Sequence, residues 1–208
     1  SYESERNPLL RLARTGFVMK RMADLHVLMD EAAETYGIPE SEFLKDWRRD
    51  LKAERDWRMQ VYASSLEEPG QAVELLEKHR GNAFELLTLL AYDFGKYSED
   101  VYTAAEREVI AAVYEEVCRC SGTCVVSVPK WFIPRHEITE RNGDLLWQNV
   151  NVKTAAASGG EACVYQTAIW SELNHPHVTR LLGACHVGYP AFFVVEEADE
   201  ITQNVLRR

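Results

Sequence analysis

The chain has 208 residues, 46% of them hydrophobic and 27% charged, which fits a globular protein with one large domain or two small ones. Its formal net charge of -10 would repel a phosphate backbone, and no basic stripe with interleaved aromatics occurs, so neither nucleic acid nor an anionic membrane surface is an expected partner. No apolar run approaches the roughly 18 to 20 residues of a membrane span; the best, over residues 84–94, is broken by Glu85 and Asp93.

The first residues, SYESERNPLL, lack the basic start and apolar segment of a secretory signal, although a trimmed chain would look the same. Five cysteines, an odd number without framework spacing, fit free thiols in a reducing compartment such as the cytoplasm. Cys118, Cys120 and Cys124 cluster and His136 offers a fourth ligand, but structural zinc sites pair cysteines in two separate knuckles, so no metal is expected.

In chain order, Val18, Met22, Leu25, Met29 and Ala32 alternate steps of four and three, which predicts one helix over residues 7–36, ended by Gly37 and Pro39. A second helix is expected from Ser41, with Phe43, Trp47 and Leu51 on one stripe and Trp57 and Val61 on a neighbouring one. A third begins after Pro69-Gly70 and carries Ala72, Leu76, His79, Ala83, Leu86, Leu87 and Leu90. The fourth runs from Ser98, read as its N-cap, through Val101, Ala105, Val109, Ala112 and Val113 to the Ser121-Gly122 stop.

After Gly122 the texture changes to short β-branched or aromatic runs bounded by turn residues: CVVSV, PKWFIP, NVNVKTA and FFVVEE. One helical candidate, residues 161–173, lies among them. The expected fold class is therefore α+β, an antiparallel four-helix bundle over residues 1–122 followed by a small antiparallel sheet with one helix over residues 123–208.

The segment AIWSELNHPHVTRLLGACHVGYPAFFVVEEA, residues 168–198, resembles the end of helix C through strand 5 and the hinge in tyrosine-kinase-like protein kinases. The turn formed by His175, Pro176, His177 and Val178, followed by LGACH, carries the likeness. The chain is most similar to the oomycete type, in which a helical region, a W-F-I-P segment such as Trp131-Phe132-Ile133-Pro134 and the kinase domain follow in that order. The resemblance implies that residues 123–208 form a truncated kinase small lobe. In it Lys153 would be the strand-3 lysine that grips the α- and β-phosphates. Val195 would be the gatekeeper, Glu196 and Ala198 would belong to the hinge, and Trp131, Trp170, His175 and His177 would be packing or interaction residues.

Several departures remove the chemistry. The helix C glutamate that should pair with Lys153 falls on Gln166, a neutral side chain that cannot form an ion pair. Only Gly143 stands where a G-x-G-x-x-G loop should cover the phosphates, and residues 136–153 leave room for one short strand and a turn beside strand 3. The sequence ends at Arg208 without an H-R-D or a D-F-G motif. Cys185-His186 does not make a nucleophile and base, because neighbours in a strand point to opposite faces.

The resemblance thus implies a non-catalytic pseudokinase module with no cofactor, which scaffolds or mimics a true kinase and whose partner is a kinase or another signalling protein. Two alternatives are the N-terminal regulatory part of a larger active kinase, and a pathogen effector acting in the host cytoplasm.

Overall fold

A computed structural model of the chain describes residues 7–37, 42–64, 66–68, 70–78, 82–97, 101–141, 144–148 and 150–196. The fold is α+β and divides into two compact units, Ser1–Val126 and Ser127–Arg208.

Among the described residues the first unit holds six helices: α1 (Pro8–Leu12), α2 (Thr15–Tyr36), α3 (Glu42–Ser64), α4 (Gln71–Lys78), α5 (Ala83–Tyr97) and α6 (Ala104–Ser121). Two of the four expected helices are therefore broken. The first divides at Ala13 and Arg14 because Asp93, from α5, accepts the N–H groups of Gly16 (3.1 Å) and Phe17 (3.3 Å) and so caps α2 from outside its own sequence. The third divides before Asn82, whose Oδ1 accepts from the N–H of Phe84 at 2.8 Å and starts α5 anew. His79, which was expected on that stripe, lies outside the described residues.

α5 forms the middle of this unit, with Leu86, Leu87, Thr88, Leu89 and Leu90 all buried, and packs against α1, α2 and α6. A helix buried on every side reads as a continuous apolar run. Ala72 and Leu76 are core, as the stripe on α4 predicts. Gly37 and Gly122 end α2 and α6 in the left-handed conformation, with φ of 62° and 67°. The expected N-cap Ser98 lies outside the described residues; α6 begins instead at Thr103, in a capping box with Glu106, and Val101 sits in a turn before it.

Three faces differ from expectation. On α6 the buried seam is Glu106, Ile110, Val113 and Val117, while Ala105 and Ala112 are exposed. On α2 Thr15, Phe17, Met19, Met22, His26, Met29 and Ala33 are half-buried, while Val18 and Leu25 are 45% and 44% exposed. Trp57 and Val61 of α3 are likewise exposed, whereas Trp47 and Leu51 are half-buried. The side chain of Phe43 lies outside the described residues.

Glu106 enters the seam of α6 because Arg55 of α3 grips its carboxylate through both Nε and Nη2, the latter at 2.6 Å, and also donates to the Val101 carbonyl at 2.8 Å. Burial pushes the Glu106 carboxyl up, but Arg55 together with the Thr103 N–H and hydroxyl outweighs it and holds the group below its ordinary value of 4.5. A depressed folded pKa contributes stability above the unfolded value and loses it as pH falls through the folded one. Acid titration below about pH 4.5 should therefore weaken the helical unit, and Arg55→Ala, which strands a buried carboxylate, should cost about 3 kcal/mol in urea unfolding at neutral pH.

The second unit is a five-stranded antiparallel sheet: β1 (Thr139–Arg141), β2 (Asp144–Trp147), β3 (Val150–Ala156), β4 (Leu181–Cys185) and β5 (Phe192–Glu196), in spatial order β1-β2-β3-β5-β4. The helix α7 (Gly160–Trp170) connects β3 to β4 and packs on β4 and β5. β5 lies between two strands, and Phe192, Phe193, Val194 and Val195 are all buried, which explains its unbroken apolar sequence.

Two short strands precede β3 rather than the one expected. The CVVSV segment is not a strand, because no partner strand reaches it among the described residues, and Val126 is 95% exposed. The W-F-I-P segment contributes one parallel bridge, Phe132 to Ala184, on the outer edge of β4.

Candidate functional site

β3, β5 and α7 position most of the residues singled out above. Lys153 and Val195 are register partners across the β3–β5 ladder, so they leave the same face of the sheet, the one that also carries Phe193. Lys153 is exposed and Val195 buried. Glu196 stands opposite Val152 at the exposed end of β5, where its N–H donates to the Arg180 carbonyl at 3.0 Å. Ala198 and Gly143 lie outside the described residues.

α7 covers that face of the sheet with Cys163, Thr167 and Trp170, spaced by four and three residues. The first two are buried, and their polar atoms are satisfied locally. The Thr167 hydroxyl donates to the Cys163 carbonyl at 2.7 Å, and the Cys163 thiol donates to the Cys185 carbonyl at 3.7 Å. Burial pushes the Cys163 thiol up, outweighing the Thr167 hydrogen bond, so it is an inert core group. Gln166, at the border of that stripe, is exposed.

Trp131 and Trp170 are brought to one core, formed by Cys163, Ala184, Ala191 and Phe193. Trp170 is half-buried, with its ring 5.6 Å from that of Phe193 and its Nε1–H donating to the Thr179 carbonyl at 3.0 Å. Full burial would imply a loss of 3 to 5 kcal/mol on truncation to alanine. For a ring covered on one side, Trp170→Ala should cost about 2 kcal/mol, read from the denaturation midpoint of the sheet unit.

His186 lies between Trp131 and Phe132, 5.3 Å from each ring, and burial lowers its pKa. The neighbouring Cys185 thiol donates to the Val187 carbonyl at 3.2 Å. His175 and His177 lie in a run, residues 171–180, that is exposed throughout; the His177 N–H donates to Nδ1 of His175 at 3.1 Å and shapes the turn.

Sequence reasoning missed the opposite side of α7. Tyr165 (69% exposed) and Ile169 (49%) follow at a step of four, with Val164 also exposed; Leu173 (53%) and Val178 (40%) are exposed in the segment that follows the helix. The available signal was that Val164, Tyr165 and Ile169 add apolar side chains away from the core stripe, with Glu161 and Gln166 interspersed.

Among the described residues no group of three or more His, Cys, Asp or Glu side chains could hold a metal ion. No described helix is long and apolar enough to cross a membrane. A cavity of about 460 Å³ lies in the helical unit, lined by Val73, Leu76, Glu77, Asn82, Phe84 and Cys120 among others, and is lined by none of Lys153, Gln166, Val195, Glu196, Trp131, Trp170, His175 and His177. No protein-family model matches the chain, and no curated protein matches it.

Proposed function

We propose that the chain is a non-catalytic, pseudokinase-type interaction module that scaffolds or mimics a true kinase. The observation that carries this reading is the outward apolar stripe of α7, Tyr165 and Ile169 beside Val164, with Leu173 and Val178 also exposed in the segment that follows the helix. An exposed apolar patch of this kind marks a binding site. If α7 is the helix C of a kinase small lobe, the stripe and the 171–180 turn lie where such a lobe meets a large lobe. A kinase or another signalling protein is then the fitting partner.

Two features speak against catalysis. Only residues 142–143 separate β1 from β2, too few for the six-residue loop that would cover phosphates. In place of the carboxylate that would pair with Lys153, the sequence has Gln166, which is neutral.

The test joins two measurements on the whole chain. Titration with ATP and magnesium should give no heat, in the native protein and in Lys153→Ala alike. Purified kinase catalytic domains should bind the chain, and Ile169→Glu should weaken that binding at least tenfold while leaving the circular dichroism spectrum unchanged. Tight magnesium-dependent ATP binding that is lost in Lys153→Ala would overturn the non-catalytic reading.

A second reading, the N-terminal regulatory part of a larger active kinase, draws on the same stripe, which a large lobe of the same polypeptide would cover. Finding H-R-D and D-F-G motifs in the reading frame beyond Arg208 would favour it.

A further inference from the structure

Most of α2 is covered along one side. Met19, Met22, His26, Met29 and Ala33 form that half-buried side, where the His26 ring meets the Trp47 ring of α3 at 4.9 Å. Beside it runs a second seam, Val18, Arg21, Leu25, Leu28, Ala32 and Thr35, exposed along its whole length. Val18, Leu25 and Leu28 are 45%, 44% and 62% exposed. The remaining side carries Lys20, Asp24, Glu31 and Glu34, as a solvated face does.

The exposed seam alternates steps of three and four from Val18 to Thr35, over about 27 Å of helix, which is the spacing of a coiled-coil stripe. Its two polar members decide what fits against it. A parallel copy of the same helix would set Arg21 against Arg21. An antiparallel copy, with its twofold axis between Leu25 and Leu28, sets Leu25 against Leu28, Val18 against Thr35, and Arg21 against the small Ala32 beside the carboxylate of Glu31. Asp24, which also flanks the seam, is already paired with Lys20 at 3.1 Å. The seam is therefore complementary to itself in shape and charge, as an isologous interface requires.

We propose that α2 pairs with the α2 of a second copy of this chain as a short antiparallel coiled coil, held by Leu25 and Leu28 at its centre and by an Arg21–Glu31 ion pair on either side of the axis. A seam of about 27 Å lies at the small end of stable interfaces, so the dimer should dissociate in the micromolar range.

Sedimentation velocity of the whole chain should show monomer giving way to dimer between about 1 and about 100 μM. Leu28→Glu, at an exposed position, should weaken the dimer at least tenfold with an unchanged circular dichroism spectrum, whereas Ile169→Glu on α7 should leave it intact. Arg21→Glu should weaken it, and adding Glu31→Arg to that variant should restore it, because the swapped charges meet again only in the antiparallel register. A chain that stays monomeric throughout, a dimer that Leu28→Glu leaves intact or that Ile169→Glu abolishes, or a double charge swap no tighter than Arg21→Glu would each overturn the proposal.

Discussion

Replacing Asp93 with alanine is expected to lower the unfolding free energy of the helical unit by about 3 to 5 kcal/mol, measured by urea denaturation at neutral pH. Asp93 is 2% exposed, and its carboxylate accepts from the N–H groups of Gly16 and Phe17 and from the Tyr102 hydroxyl. Its removal leaves the first turn of α2 without that acceptor in a place water does not reach. Gly16 makes the arrangement possible, since a Cβ there would lie 2.8 Å from both Asp93 and Tyr97. Asp93→Asn keeps an oxygen acceptor and should lose less. A loss below about 1 kcal/mol for the alanine variant would show that α2 does not depend on this cap.

The same cluster has an alkaline signature. Burial, followed by the charge and the hydrogen bond of Asp93, drives the Tyr102 phenol far above its ordinary value of 10.0. A raised folded pKa contributes stability below the unfolded value, and that contribution is lost as pH rises, because the unfolded chain releases the proton first. Stability should therefore decline above about pH 10, and Tyr102→Phe should flatten that limb.

Gly183→Val is expected to cost the sheet unit about 3 kcal/mol or more. A Cβ at position 183 would stand 2.3 Å from the Trp131 carbonyl oxygen and within 2.8 Å of the Ile133 side chain. Backbone cannot yield as a flexible side chain would, so residues 131–133 must leave the edge of β4. That breaks the Ala184 N–H to Trp131 carbonyl and Ile133 N–H to Ala184 carbonyl bonds, both 3.0 Å, and exposes Phe132 and Ile133, each 2% exposed in the native fold. Hydrogen exchange at the Ile133 and Ala184 amides provides a local readout. Protection equal to that of the native chain would mean that the W-F-I-P segment does not depend on Gly183.

Legibility differed from element to element for physical reasons. Apolar period, glycine stops and β-branched runs are local, and they placed the core residues of α4 and α5, the ends of α2 and α6, and β3 and β5 near where they lie. The breaks at Ala13 and before Asn82 were harder, the first because its cap comes from a residue 77 positions away. On α6 the seam was read one residue early because Glu106 is charged, and a charge counts as outward until Arg55 of another helix is known to meet it. β4, with its glycine and alanine, became a strand only through the approach of β5 and the W-F-I-P segment.

What the sequence determined alone is the α+β class, the change of texture near Gly122 and the residues that departed from the resemblance, Gln166 and the missing glycines, since these depend on residue identity and near neighbours. What the tertiary structure decided is which face of each helix is covered, that Lys153 and Val195 share one face of the sheet, and that α7 has an apolar side left exposed, because burial and register are set by partners distant in the chain.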